Sequence, residues 1–172
     1  MKTIKGFIGK SQFDEDIEAK FRASACGPVT AFVILRHLSE AEPHLSINKL
    51  YRSLGGTKIG LSKYRMIRNL RKLLGAGWNI ESCGIEDVLL EIDEGRPVAA
   101  KFDKWFTFHW LGKFAFDYHW VPIVGYEKHG NDLILLIHDN GGRNRTSQLR
   151  KVSYEQNKKI LSFVKMKKTA AF

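Results

Sequence analysis

Apolar residues in the first half of the chain recur at helical spacing; in the second half they gather into short runs. From Cys26 to about Leu38 nearly every position after Pro28 is apolar. A stripe that runs almost all the way round predicts a helix buried in a core. Proline suits its first turn, where the missing N–H would have no partner anyway. Between 63 and 74, Met66, Ile67, Leu70, Leu73 and Leu74 share one face and Arg65, Arg68 and Lys72 the other, with Ser62 placed as N-cap. Ser46 similarly caps a short helix through Leu50 and Leu54 that stops at Gly55-Gly56. Ile85, Val88, Leu89 and Ile92 predict a further helix, with acids in its first turn and Gly95 after its end. A short helix is expected around 13–21 and a loop at Glu42-Pro43-His44. Strand signals follow at 98–102, 118–126, 133–138 and 160–165, with Gly130-Asn131 as a tight turn between the second and third. Helices first and antiparallel strands later is an α+β pattern.

The length, 172 residues, suits a single domain spanning 1–172, and 44% hydrophobic residues are enough to build its core. No repeat, linker or low-complexity tract interrupts it. The formal net charge is +10 and the pI about 9.7. That balance permits an acidic partner without demanding one. The basic face of the 63–74 helix has no nucleic-acid-binding motif beside it, so a solvated face is the expected reading and nucleic acid the weaker one. Two cysteines do not make a disulfide framework. Paired-cysteine spacing and helical His-x3-His are both missing, so neither a metal nor another cofactor is expected. The N-terminus shows no signal-peptide core, and no apolar stretch approaches the ~18 residues that span a bilayer. A cytoplasmic protein is therefore expected, of undetermined oligomeric state.

Chemistry enters with Cys26. A thiol at the positive end of a rigid helix favours its thiolate, the nucleophilic form. Such a nucleophile needs a base in hydrogen-bond reach, and the base needs a third group to fix its tautomer. His119 lies near the start of one strand pattern, and Asp139 and Asn140 close the next, before Gly141-Gly142. His109 is the rival base, ten residues earlier. Asp139 and Asn140 compete for the orienting role. Cys83 has no such context and reads as structural.

Ala25-Cys26-Gly27-Pro28, then His119-Trp120-Val121-Pro122-Ile123-Val124-Gly125-Tyr126, then Asp139-Asn140-Gly141-Gly142 resembles the bacteriocin-leader-peptidase-like (double-glycine peptidase-like) branch of the papain-like cysteine peptidases. Gly60-Leu61-Ser62 and Gly95-Arg96-Pro97-Val98 are weaker echoes, and together these motifs cover roughly 12–142. The resemblance implies a helical lobe carrying Cys26 and an antiparallel sheet lobe carrying His119 and Asp139. It also implies a thiol hydrolase acting on a peptide or amide bond of a peptide or protein substrate through an acyl-enzyme. Asp139 is the orienting residue on this reading. The family sets a glutamine six residues before the cysteine to help bind the oxyanion; Lys20 stands there, and Gln12 lies too far upstream to match. Two readings follow: a hydrolase with Lys20 as oxyanion donor, or a binding module on the same fold whose chemistry is lost. The aromatic-rich segment between Asp103 and Asp117 is expected either to flank the cleft, with Trp105, His109 and neighbouring Trp120 touching substrate, or to cover the sheet as a hydrophobic cluster.

Overall fold

The periodic segments form the elements they predict. In a computed structural model describing residues 1–39 and 45–169, the order is β1 (Lys2–Thr3), α1 (Ala19–Arg22), α2 (Cys26–Leu38), α3 (Ile47–Leu54) and α4 (Lys63–Leu74). A 3-10 turn (Gly75–Gly77), β2 (Trp78–Cys83), α5 (Ile85–Asp93) and β3 (Val98–Asp103) follow. The chain continues through β4 (Tyr118–His129), β5 (Asp132–Asp139), β6 (Gln148–Ser153), α6 (Tyr154–Asn157) and β7 (Leu161–Lys168). The loop expected at Glu42-Pro43-His44 lies outside the described residues. Ser46 and Ser62 accept from the backbone N–H of Lys49 and Arg65 at 3.2 and 3.3 Å, so both caps form as their side chains dictate.

The strands make one antiparallel sheet in the order β2-β7-β3-β4-β5-β6, and β1 extends it by pairing with β4 at Tyr126 and Gly125, beyond the end of β3. Pro122 is tolerated in the long central β4 because a register irregularity follows at once, between Ile123 and Gly125. Both faces of the sheet centre are covered. Ala99, Trp120, Val164 and Met166 pack with Ile34, Leu35, Leu50, Leu54, Met66 and Leu70 of α2–α4. Val98, Ala100, Phe102, Val121 and Ile123 face the other way, with Val88 and Ile92 of α5. Burial on both sides explains why β3 and β4 read as continuous apolar runs rather than alternating ones.

Three strands were not expected. β1 is two residues long, β6 is polar and mostly exposed along an edge, and β2 carries the alternation Trp78-Asn79-Ile80-Glu81 over too few residues to stand out. Of the helix expected at 13–21 only Ala19–Arg22 forms. Before it, Asp14 and Ile17 make i→i+3 backbone bonds to Ser11 and Asp14, while Lys10 pairs with the carboxylates of Asp14 and Asp16 at 2.9 Å.

Trp120 corrects its expected role. It is fully buried, and its indole N–H donates to the Leu61 carbonyl at 2.8 Å. It fastens the loop before α4 to the sheet and touches no cleft. Trp120→Ala is expected to lower unfolding free energy by about 3–5 kcal/mol, read as the midpoint of urea denaturation; a shift below 1 kcal/mol would contradict this role.

Candidate active site

Cys26 is the first residue of α2, following Ala25. The first turn of a helix leaves its N–H groups without intrahelical partners. The His119 side chain, and after it the backbone amides of Trp120 and Gly27, favour the ionised form of the Cys26 sulfur. The close packing needs glycine at 27, because a Cβ there would lie 3.1 Å from Leu61 and 3.2 Å from Trp120.

His119 is buried on β4, and its Nε2 lies 3.1 Å from Oδ1 of Asp139 at the end of β5. The other ring nitrogen, Nδ1, is thereby left for the thiol. Phe116 packs against the imidazole with ring centroids 4.7 Å apart. Between Asp139 and Asn140 the geometry separates the roles. Asp139 faces the imidazole. The Asn140 amide nitrogen lies 3.3 Å from the Cys26 carbonyl, 3.0 Å from Thr30 Oγ1 and 3.1 Å from the Trp120 carbonyl. Asn140 thus pins the cysteine helix to the sheet.

Burial opposes ionisation of the Cys26 thiol, yet the His119 contact and the two backbone amides outweigh it and lower its pKa. Burial also works against a charged His119, but hydrogen bonds to Asp139 and Cys26 raise its pKa to about 9. The pair accordingly favours thiolate–imidazolium, and its titration belongs to both groups together. Asp139 stays ionised well below the usual carboxylate range: burial resists this, but His119, Arg150 and the Gly141 N–H hold the charge.

The sequence reading missed two residues here. Arg145 Nη2 and Arg150 Nη1 lie 2.7 and 2.8 Å from Asp139 Oδ2, leaving Oδ1 for His119. They are positioning residues for the carboxylate. Their signal was an ordinary basic stretch after a glycine turn, with nothing to mark its target.

A cavity of about 340 Å³ opens at Cys26, with Gln12, Ser24, Lys58, Gly60, Tyr118 and His119 on its walls. The Gly60 wall is fixed by Tyr118, whose hydroxyl accepts from the Leu61 N–H and donates to the Leu61 carbonyl, both at 3.0 Å. Gly60 has φ +107°, and a Cβ there would collide with the Tyr118 ring.

Lys20 does not reach this cavity. Its ammonium is two-thirds exposed and pairs with Glu18 at 2.9 Å, because the short α1 turns it outward. The amide beside Cys26 is instead that of Gln12, which is buried. Its backbone N–H donates to the Asn140 carbonyl and its Nε2 to the Arg22 carbonyl, both at 2.8 Å. The segment between Gln12 and Cys26 loops out, so counting six residues back from the cysteine finds a side chain that points to solvent. Trp105 and His109 also lie away from the cavity. Trp105, Phe106, Phe108, Trp110 and Leu111 are between 51 and 95% exposed, whereas Phe114, Ala115 and Phe116 pack against the core on the α5 side, so the end of the aromatic segment covers the sheet and its first part does not. Phe106 reaches an adjoining pocket. Among the described residues no group of three or more His, Cys, Asp or Glu side chains is arranged to hold a metal. Among the described residues no helix is long and apolar enough to cross a membrane.

A helix-borne thiol beside a sheet-borne histidine and aspartate is the arrangement of papain-like cysteine peptidases. The model of the Peptidase_C39 like family matches residues 4–171, and the chain belongs to that family. No curated protein matches it. Among solved structures it is similar to the peptidase domain of Streptococcus ComA, a bi-functional ABC transporter involved in a quorum-sensing pathway. The TM-score is 0.59 and the identity 16%, over 95% of this chain and 99% of that one. At that identity the likeness is one of fold.

Cys83 provides an internal control. Burial first, and then the charge of Asp87, push its thiol up to about 12. Iodoacetamide at about pH 6 is therefore expected to label Cys26 well ahead of Cys83, since an unperturbed thiol ionises near ~8.5. Equal, slow labelling of both, read by peptide mapping, would contradict an activated Cys26.

Proposed function

We propose that this chain is a cysteine peptidase that cleaves a peptide or amide bond through an acyl-enzyme on Cys26. The observation that carries this reading is the line Cys26–His119–Asp139, set at a helix N-terminus on the floor of an open cavity. Cys26 thiolate attacks the scissile carbonyl carbon. The negative charge that develops on the carbonyl oxygen is met by the Cys26 backbone N–H. It is also met by the second N–H of the Gln12 amide, the first being given to Arg22. His119, protonated at Nδ1, passes that proton to the leaving amine. It then accepts one from the water that attacks the acyl carbon, and the acid product leaves with the thiolate restored. Asp139 holds the ring at Nε2 throughout and stabilises the imidazolium. The oxyanion place given to Gln12 removes the reason for a non-catalytic reading, which rested on Lys20.

Removing one side-chain oxyanion donor typically costs about 100- to 1000-fold in rate. Gln12→Ala is expected to fall by that amount in kcat on any cleaved peptide, while Lys20→Ala stays within about twofold of the parent. The reverse ranking would return the role to Lys20, and equal rates for Cys26→Ala and the parent would remove the peptidase reading.

The pH profile follows from the shifts. The lowered Cys26 value means that the nucleophile is already ionised below the ordinary thiol range, so activity rises early. The raised His119 value means that the imidazolium persists until about 9, so activity falls only near there. In Asp139→Asn the imidazolium loses its carboxylate, and the alkaline limb is expected to move to lower pH. An unmoved limb, measured as kcat/KM against pH, would show that Asp139 does not hold the base.

A further inference from the structure

The cavity at Cys26 continues on its Lys58–Gly60 side into a second pocket of about 600 Å³. Its charged side chains are Lys58, Arg65 and Lys101, its walls include Ile59, Phe106 and Tyr118, and among the described residues no carboxylate lines it. Lys101 is the unusual member. It stands on the helix-facing side of β3, in the row that carries Ala99, and is only 7% exposed. Its ammonium pairs with Asp103 two residues on, and lies 4.9 Å from the Tyr118 ring centroid and 5.8 Å from that of Phe106. Asp103 in turn accepts the Phe106 N–H at 3.0 Å, so the same carboxylate sets both the cation and the ring beside it. The pocket on the opposite side of the cleft differs. There Asp14, Glu15 and Asp16 face Arg22, Arg143 and Arg145. Among the described residues the cleft is therefore basic on one flank, where only Asp103 behind Lys101 offsets the charge, and mixed on the other.

We propose that the Lys58–Arg65–Lys101 pocket is a specificity site for an acidic side chain of the peptide, a glutamate or aspartate lying on one side only of the bond to be cut. This rests on the peptidase reading above and names the substrate class of that same cleft. The aliphatic part of a glutamate lies against Ile59, Phe106 and Tyr118, while its carboxylate meets Lys58 and Arg65 at the mouth and the ammonium of Lys101 at the base. A hydrogen bond to a charged partner is worth enough to discriminate about 10-fold or more between a carboxylate and its amide.

The experiment uses Cys26→Ala protein, which holds peptides without turning them over, and a set of fluorescent peptides in which a single Glu, Gln or Lys is moved through every position. Binding is read by anisotropy at low and high salt, and cleavage of the same peptides is read with the parent protein. A Glu-over-Gln preference of about 10-fold, confined to one flank of the peptide and weakened by salt, supports the site. Equal binding of Glu and Gln peptides at every position, or an acid preference on both flanks, overturns it. If the preference appears and the parent cleaves none of the peptides, the peptidase reading fails and the pocket stands. Lys101→Met strips Asp103 of its partner and could unfold the strand. The paired variant Lys58→Glu, Arg65→Glu changes only exposed side chains and is expected to invert the preference in favour of Lys over Glu at the same position. Retention of the Glu preference in that variant also overturns the proposal.

Discussion

Everything at the site depends on how the first turn of α2 is held against the sheet, and one buried amide bridges the two. The Asn140 nitrogen reaches Cys26 and Thr30 on the helix and Trp120 on β4, while its backbone carbonyl takes the Gln12 N–H. These groups have little water to turn to, so a lost bond would leave a buried acceptor unmet, at a cost of about 1–3 kcal/mol. Because Asp139 precedes Asn140, two consecutive residues hold His119, the Cys26 helix and the arm that carries Gln12.

The charges around His119 show how positioning and electrostatics divide the labour. A lone buried carboxylate would attract the imidazolium strongly, but Asp139 shares its Oδ2 with two guanidiniums. Their positive charge reduces the net field that the carboxylate exerts on the ring, while their fork geometry leaves it few orientations. Asp139 is thereby held in one orientation, with Oδ1 toward the ring. The thiolate supplies much of the remaining stabilisation of the imidazolium, aided by the Gly27 and Trp120 amides that prefer sulfur in its ionised form. Arg150 also lies over the Phe116 ring, centroid distance 5.0 Å, and Phe116 leans on His119, so one side of the imidazole is shielded from solvent.

Much of this was legible in the chain because it is local. The Cys26 helix, its proline start, the capping serines and the runs through His119 and Asp139 each follow from a few neighbouring residues, and the α+β order follows from their sequence. What escaped detection depends on pairing at a distance. β2 and β6 are strands because β7 and β5 offer them edges, and nothing within Gln148–Ser153 demands it. Gln12 and Lys20 show the same limit at the site. Spacing along the chain pointed to Lys20, but the intervening turns project it into solvent and return Gln12, fourteen residues before the cysteine, to the cleft. Trp120 misled for a related reason: adjacency to His119 in sequence places it on the opposite face of the strand, where alternation sends it into the helical core.

The Lys101–Asp103 pair is hard to account for by stability. β3 is otherwise apolar and covered on both faces, and a buried ion pair in such a place often contributes no more than well-packed hydrophobic residues of similar size. Desolvating an ammonium there needs compensation, which Asp103 and the faces of Tyr118 and Phe106 provide. Those same two rings line the pocket beside the cleft, and Tyr118 also anchors the Gly60 wall through Leu61. The cation is thus built into the scaffold that shapes the cleft, held by its partners and set beside a volume where, among the described residues, no acid answers Lys58 and Arg65. A surface lysine could have supplied charge alone. A buried one, ordered between two rings, supplies it at a fixed position, and fixed position is what discrimination between a carboxylate and an amide of the same shape requires.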